Sequence, residues 1–127
     1  MTPIPANNPA ANSNNRRAVI SLRKSRGSST APTIGNSGDL IGKVSFRQYD
    51  GTAYRESAII ETAIDAAPGA NDAPTRMSFY TTSDGSATAT ERWKINNAGH
   101  LLAGADNTYD VGASGATRPR NVYVAGT

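Results

Sequence analysis

Six carboxylates in the middle of the chain, Asp50, Glu56, Glu61, Asp65, Asp72 and Asp84, are the residues with the most chemistry to offer. A pair of them flanking a glycosidic bond is what polysaccharide hydrolysis needs. Their settings argue for another role. Asp50, Asp72 and Asp84 fall in turn contexts, where an aspartate bonds its own backbone. Glu56 and Glu61 are five residues apart, and on a regular strand that odd spacing sends them to opposite faces. His100 is the one histidine, and it follows Gly99 in a turn. A lone histidine without cysteine cannot build a zinc set, so no metal and no cofactor is expected. Trp93, Tyr49, Tyr54 and Tyr80 are able to stack on sugar rings. Trp93 shares a strand face with Ile95, which favours packing, and leaves Tyr54 and Tyr80 as the candidate glycan contacts. Arg16, Arg17, Arg23, Lys24 and Arg26 form a basic cluster. Phosphate attraction needs only positive charge, and no nucleic-acid-binding motif accompanies these residues. Docking on an acidic protein surface suits them better.

The elements that must carry these residues are strands. Leu40–Arg47, Tyr54–Ile64, Arg76–Thr82 and Thr90–Ile95 form four runs separated by Asp50-Gly51, the loop Pro68–Pro74, Asp84-Gly85 and Asn96–Gly99. Alternation places Leu40, Val44 and Phe46 on one face, then Ala58, Ile60, Thr62 and Ile64, then Met77 and Phe79, then Glu91, Trp93 and Ile95. The β-branched Ile59, Ile60, Thr62 and Ile64 favour strand over helix. Ahead of this meander, Ala18–Lys24 alternates as a short strand, and Ser25–Ser37 reads as a polar crossover loop. After it, Asn121–Thr127 alternates again. The chain divides into an extended Pro- and Asn-rich basic arm at 1–35, a β-meander at 36–103 and a turn-rich β segment at 104–127.

Leu, Ile, Val and Phe supply 19 of the 127 residues, below the roughly 20% at which a self-sufficient core becomes doubtful. The net charge is only +3, so the chain lacks the charge of a disordered one. Ordering each residue costs on the order of 1–2 kcal/mol of backbone entropy, and a Leu-poor sheet offsets that poorly alone. Burial against copies of itself is the expected remedy. Charge is uneven: residues 1–47 carry +6 and residues 48–127 carry −3. No apolar run reaches the roughly 20 residues of a membrane span, and the N-terminus lacks the order of a signal peptide.

These stretches, taken together, resemble a recurring module of bacteriophage tail fibres. The parts that carry the likeness are Ile20–Gly27, Pro32-Thr33, Gly38–Phe46 and Asp50-Gly51. They are followed in order by Ala58–Glu61, Pro68–Pro74, Arg76–Thr81, Gly85–Ile95 and Tyr109–Val124. The resemblance implies an all-β fold, with short antiparallel strands in an intertwined or stacked homotrimeric stem and an extended N-terminal arm. It implies a structural virion protein, made in the host cytoplasm, that anchors through its arm to other tail or capsid proteins and contributes to host attachment. No catalytic site, nucleic acid or membrane insertion comes with it. Leu40, Val44, Phe46, Ile60, Met77, Phe79, Trp93 and Ile95 are then expected to fill the trimer core, joined by Ala18, Ile20 and Leu22. Two other functions stay open: a module that binds host-surface glycan directly, and a fragment of a tailspike depolymerase.

Overall fold

The computed structural model describes residues 18–126. The described residues form two antiparallel sheets and no helix. A small hairpin pairs β1 (Arg26–Gly27) with β2 (Pro32–Thr33). The main sheet is a meander in the order β3-β4-β5-β6-β7, comprising β3 (Leu40–Tyr49), β4 (Tyr54–Ile64), β5 (Thr75–Thr81), β6 (Thr90–Ile95) and β7 (Leu101–Ala103). The four runs expected from alternation are all strands. A fifth, β7, follows the turn at Asn96–Gly99 and was not anticipated.

Turn chemistry fixes the meander. Between β3 and β4 the Asp50 carboxylate accepts from the backbone N–H of Thr52 and of Ala53, both at 2.8 Å, and from Arg55 Nε at 2.7 Å. Gly51 takes φ 97° there, a conformation that other residues enter at a cost. The loop between β4 and β5 is pinched by reciprocal backbone hydrogen bonds between Gly69 and Asp72, each 3.1 Å.

Three irregularities in the ladder decide which way side chains point. Leu40 pairs with Ala63 but Gly42 pairs with Thr62, so an extra residue sits at Ile41. Phe46 pairs with Ala58 but Arg47 pairs with Glu56, so Ser57 is extra on β4. Phe79 pairs with Trp93 but Tyr80 pairs with Glu91, so Arg92 is extra on β6. A bulge of this kind shifts the alternation by one residue. Three expectations are corrected by it. Leu40 leaves the face of Val44 and Phe46 and joins that of Ala63. Glu91 leaves the face of Trp93 and sits beside Tyr80. Glu56 and Glu61, expected on opposite faces, share one.

The flanking expectations also change. Ala18–Lys24 is extended but pairs with no strand among the described residues, and Ile20 is 91% exposed. Ser25–Ser37 holds the β1–β2 hairpin where a plain loop was expected. Asn121–Gly126 forms no strand and is exposed throughout. In each flank the alternating pattern is present, but no neighbouring strand in the same copy supplies hydrogen bonds.

Candidate functional site

The register sorts the main sheet into two unlike faces. One row runs Val44–Ile60–Phe79–Trp93 across four strands, and a second runs Gly42–Thr62–Met77–Ile95–Leu101 across five. With Phe46 they make a continuous apolar face about 19 Å wide, at the usual strand spacing. Within the chain Leu22 lies against Gly42 and Gly35 against Ile64 at one end of it, and the rest is uncovered. Val44 is 47% exposed, Phe46 53%, Ile60 37%, Met77 40%, Ile95 40% and Leu101 60%. Phe79 and Trp93 are half-buried. Among the described residues the buried apolar side chains are Ala63 and Ile64 alone. Soluble monomers rarely leave so continuous an apolar surface open. Seven of the eight expected core residues therefore converge on one face, and Leu40 is the exception.

The opposite face is charged and internally paired. Glu56 accepts from Lys43 Nζ at 2.8 Å and from Ser45 Oγ at 2.6 Å. Tyr80 donates its hydroxyl to Glu61 at 3.3 Å, Lys94 pairs with Glu91 at 3.2 Å, and Arg76 pairs with Asp65 at 3.1 Å. Ser78, small and buried, sits in the ladder between Glu61 and Lys94. The two bulges at Ser57 and Arg92 are what gather Glu56 and Glu91 onto this face. Burial, with Glu61 nearby, raises the Tyr80 hydroxyl above its ordinary value.

Four carboxylates are engaged by local partners. Asp39, Asp50, Glu56 and Asp65 are all held below the usual carboxylate range. The causes are the Arg26 guanidinium at Asp39, the Thr52 hydroxyl and Arg55 at Asp50, the Lys43 ammonium at Glu56 and the Asn97 backbone N–H at Asp65. A general acid for glycoside cleavage needs the reverse displacement. Because each group ionises more readily folded than unfolded, its stabilisation is complete above the ordinary carboxylate values. It is lost as pH falls through them toward the depressed ones. Thermal unfolding followed by circular dichroism should give a midpoint that is flat from pH 7 to pH 5 and falls steadily below about pH 4. A midpoint that rises on acidification would contradict these contacts.

The remaining expected residues are dispersed. Arg16 and Arg17 lie outside the described residues. Arg23 and Lys24 are exposed on the extended approach to β1. Arg26 is engaged: its Nε and Nη2 grip the two oxygens of Asp39, each at 2.7 Å, tying the β1–β2 hairpin to the start of β3. Tyr54 stands at the β3–β4 turn, 67% exposed, its ring 5.4 Å from that of Tyr49. Tyr80 pairs with Ile59, five residues from Tyr54 along β4, or about 16 Å of strand. The two tyrosines are on one face but do not form one site. His100 is exposed, and among the described residues no group of three potential ligands gathers around a point. Sequence reasoning missed Arg92. Its guanidinium bonds Thr81, Ser83 and the Tyr109 hydroxyl, with its carbon 5.4 Å from the centre of the Tyr109 ring. It fastens the C-terminal segment to the sheet, and no spacing signals a partner 17 residues away.

No protein-family model and no curated protein sequence matches the chain. Solved structures do. The chain is similar to the carboxy-terminal domain of the bacteriophage T5 L-shaped tail fibre, with a TM-score of 0.76 and 21% identity over 99% of this chain and 46% of that one. It is likewise similar to that domain solved with its intramolecular chaperone domain, with a TM-score of 0.71 and 22% identity over 88% of this chain and 28% of that one. The chain thus spans less than half the length of either. Fold and sequence resemblance meet here: this chain has the all-β fold of a bacteriophage tail-fibre domain.

Proposed function

We propose that this chain is a structural segment of a bacteriophage tail fibre or fibre-like virion protein, working as a homotrimer. Three copies turn their apolar sheet faces toward a common axis and leave their charged faces in water. The observation that carries this reading is the open row Val44–Ile60–Phe79–Trp93 with its flanking Phe46, Met77 and Ile95. At roughly 25 cal/mol per Å² of apolar surface removed from water, closing such a face is the largest stabilisation available to the chain. Three copies is the number that the sequence's resemblance to tail-fibre modules implies.

The cationic approach, with Arg16, Arg17, Arg23 and Lys24, docks on an acidic tail or capsid protein, while Arg26 holds the local fold through Asp39. In this role the protein belongs to the virion after synthesis in the host cytoplasm. It contributes to host attachment by holding the fibre in shape, and it has no catalytic centre, no cofactor, no bound nucleic acid and no membrane-inserted part. The depressed carboxyls support the non-enzymatic part of the reading. Sedimentation equilibrium over a dilution series tests the whole. The expected result is a single species of three chain masses whose unfolding midpoint falls on dilution, because association and folding are linked. A compact monomer with a midpoint indifferent to concentration overturns it.

A further inference from the structure

The main sheet has one long open edge. β3 pairs with β4 on one side only, so along Leu40–Tyr49 alternate backbone N–H and C=O groups point outward with no strand beside them among the described residues. Such an edge invites another strand. The same chain holds a strand without a sheet. Asn121–Gly126 has no backbone hydrogen bond to any element among the described residues, and Val122, Tyr123 and Val124 are 68%, 91% and 80% exposed.

Edge and strand are separated along the chain by the rest of the sheet. The C-terminal segment leaves from β7, four strands from β3 or about 19 Å. Arg92 pins its Tyr109 to the β6 side with a 3.1 Å hydrogen bond. Beyond that point the backbone folds back on itself. Gly112 packs so closely on Pro119 that a Cβ there would lie 2.6 Å from the proline Cδ, and Arg118 donates to the Gly115 carbonyl at 2.9 Å. That turn takes up part of the length between Tyr109 and Asn121.

The geometry points to strand exchange: Asn121–Ala125 of one copy pairs along the β3 edge of the next. This rests on the homotrimer reading above and specifies how its copies interlock. The alternation fits the edge. Val122 and Val124 are two apart, like Val44 and Phe46, and extend the apolar face. Tyr123, between them, falls on the charged face next to Lys43 or Ser45, where its hydroxyl stays in water. Each copy offers one edge and one strand, so the contact is head-to-tail and closes when the last copy meets the first.

The chain contains no cysteine, which makes cross-linking a clean test. Tyr123→Cys is combined in the full chain with Lys43→Cys, Ser45→Cys or Arg47→Cys in turn. The three partners sample successive charged-face positions, since cross-strand neighbours lie within disulfide reach only in register. Mild oxidation should give a covalent trimer in one of these double variants, and in none of the single variants, on a non-reducing gel. Co-refolding copies that carry only Tyr123→Cys with copies that carry only the matching β3 cysteine should give covalent dimers. Sedimentation of the same samples separates the two levels of the inference. A trimer in which no pair cross-links overturns strand exchange and leaves the trimer reading standing. A cross-link within single copies overturns exchange as well, and a monomer overturns both.

Discussion

Phe79→Ala should convert the assembly to single chains at concentrations where the parent protein is fully associated. Phe79 stands at the middle of the apolar row, paired with Ile60 on one side and Trp93 on the other. In one copy it is half-buried, so the isolated chain loses little by its truncation. In the proposed trimer its ring is enclosed, and emptying an enclosed aromatic site costs about 3–5 kcal/mol. Every copy carries the loss. A tenfold change in an equilibrium constant corresponds to about 1.4 kcal/mol, so the dissociation midpoint should move by several decades. Sedimentation equilibrium reads the shift directly. Ser29→Ala, in the exposed turn of the small hairpin, is the control and should move the midpoint by less than about 0.5 kcal/mol. If both variants dissociate like the parent, the apolar face is not the assembly surface.

Gly104→Ala should destabilise the chain by about 2–3 kcal/mol, near the upper end of what overpacking costs. The Gly104 N–H donates to the Arg92 carbonyl at 2.8 Å, holding the chain against β6 just past β7. An added methyl would press on the Glu91 carbonyl oxygen, with the Glu91 carbonyl carbon 2.8 Å away and that of Arg92 3.3 Å away. These are backbone atoms and cannot rotate aside, so the β6–β7 pairing must open. Gly85→Ala is the instructive comparison. Its added methyl meets nothing within 4 Å, and its only cost is φ 77°, worth about 1–2 kcal/mol for a residue with a side chain. Urea unfolding of the two variants, with hydrogen exchange at the β7 amides, tells crowding from backbone strain. Only Gly104→Ala should release the Leu101–Ala103 amides.

The meander was legible because its signals are local. Asp50-Gly51, Asp84-Gly85 and Asn96–Gly99 are turn chemistry, and the β-branched run Ile59–Ile64 has a strand's stiffness. Parity was readable only where the ladder is regular: Met77 with Phe79, and Trp93 with Ile95, point as alternation requires. It failed at Leu40, Glu56 and Glu91, because an extra residue in a ladder is a property of two strands and leaves no mark on either one alone. The short β7 escaped notice because three residues are too few to show a period. Ala18–Lys24 and Asn121–Thr127 failed in the opposite sense. Their pattern is that of strands, but pattern specifies which side is greasy and not where the hydrogen bonds go. The tail-fibre likeness emerged from the order of several weak pieces, and the fold agrees with it.

The three inserted residues Ile41, Ser57 and Arg92 make this sheet sensitive to counting. A substitution alters one side chain and leaves its neighbours pointing as before. Removing a single codon at position 57 would leave Phe46 opposite Ala58 and Arg47 opposite Glu56 in a regular ladder, whereas removing one at Ile59, where the ladder is regular, would rotate Ala58 back to Tyr54 by half a turn and carry a carboxylate to the oily side. Single-residue deletions should therefore be tolerated in the turns and at positions 41 and 57 and nearly forbidden at the regular strand positions, a pattern that a comprehensive one-residue deletion scan would expose.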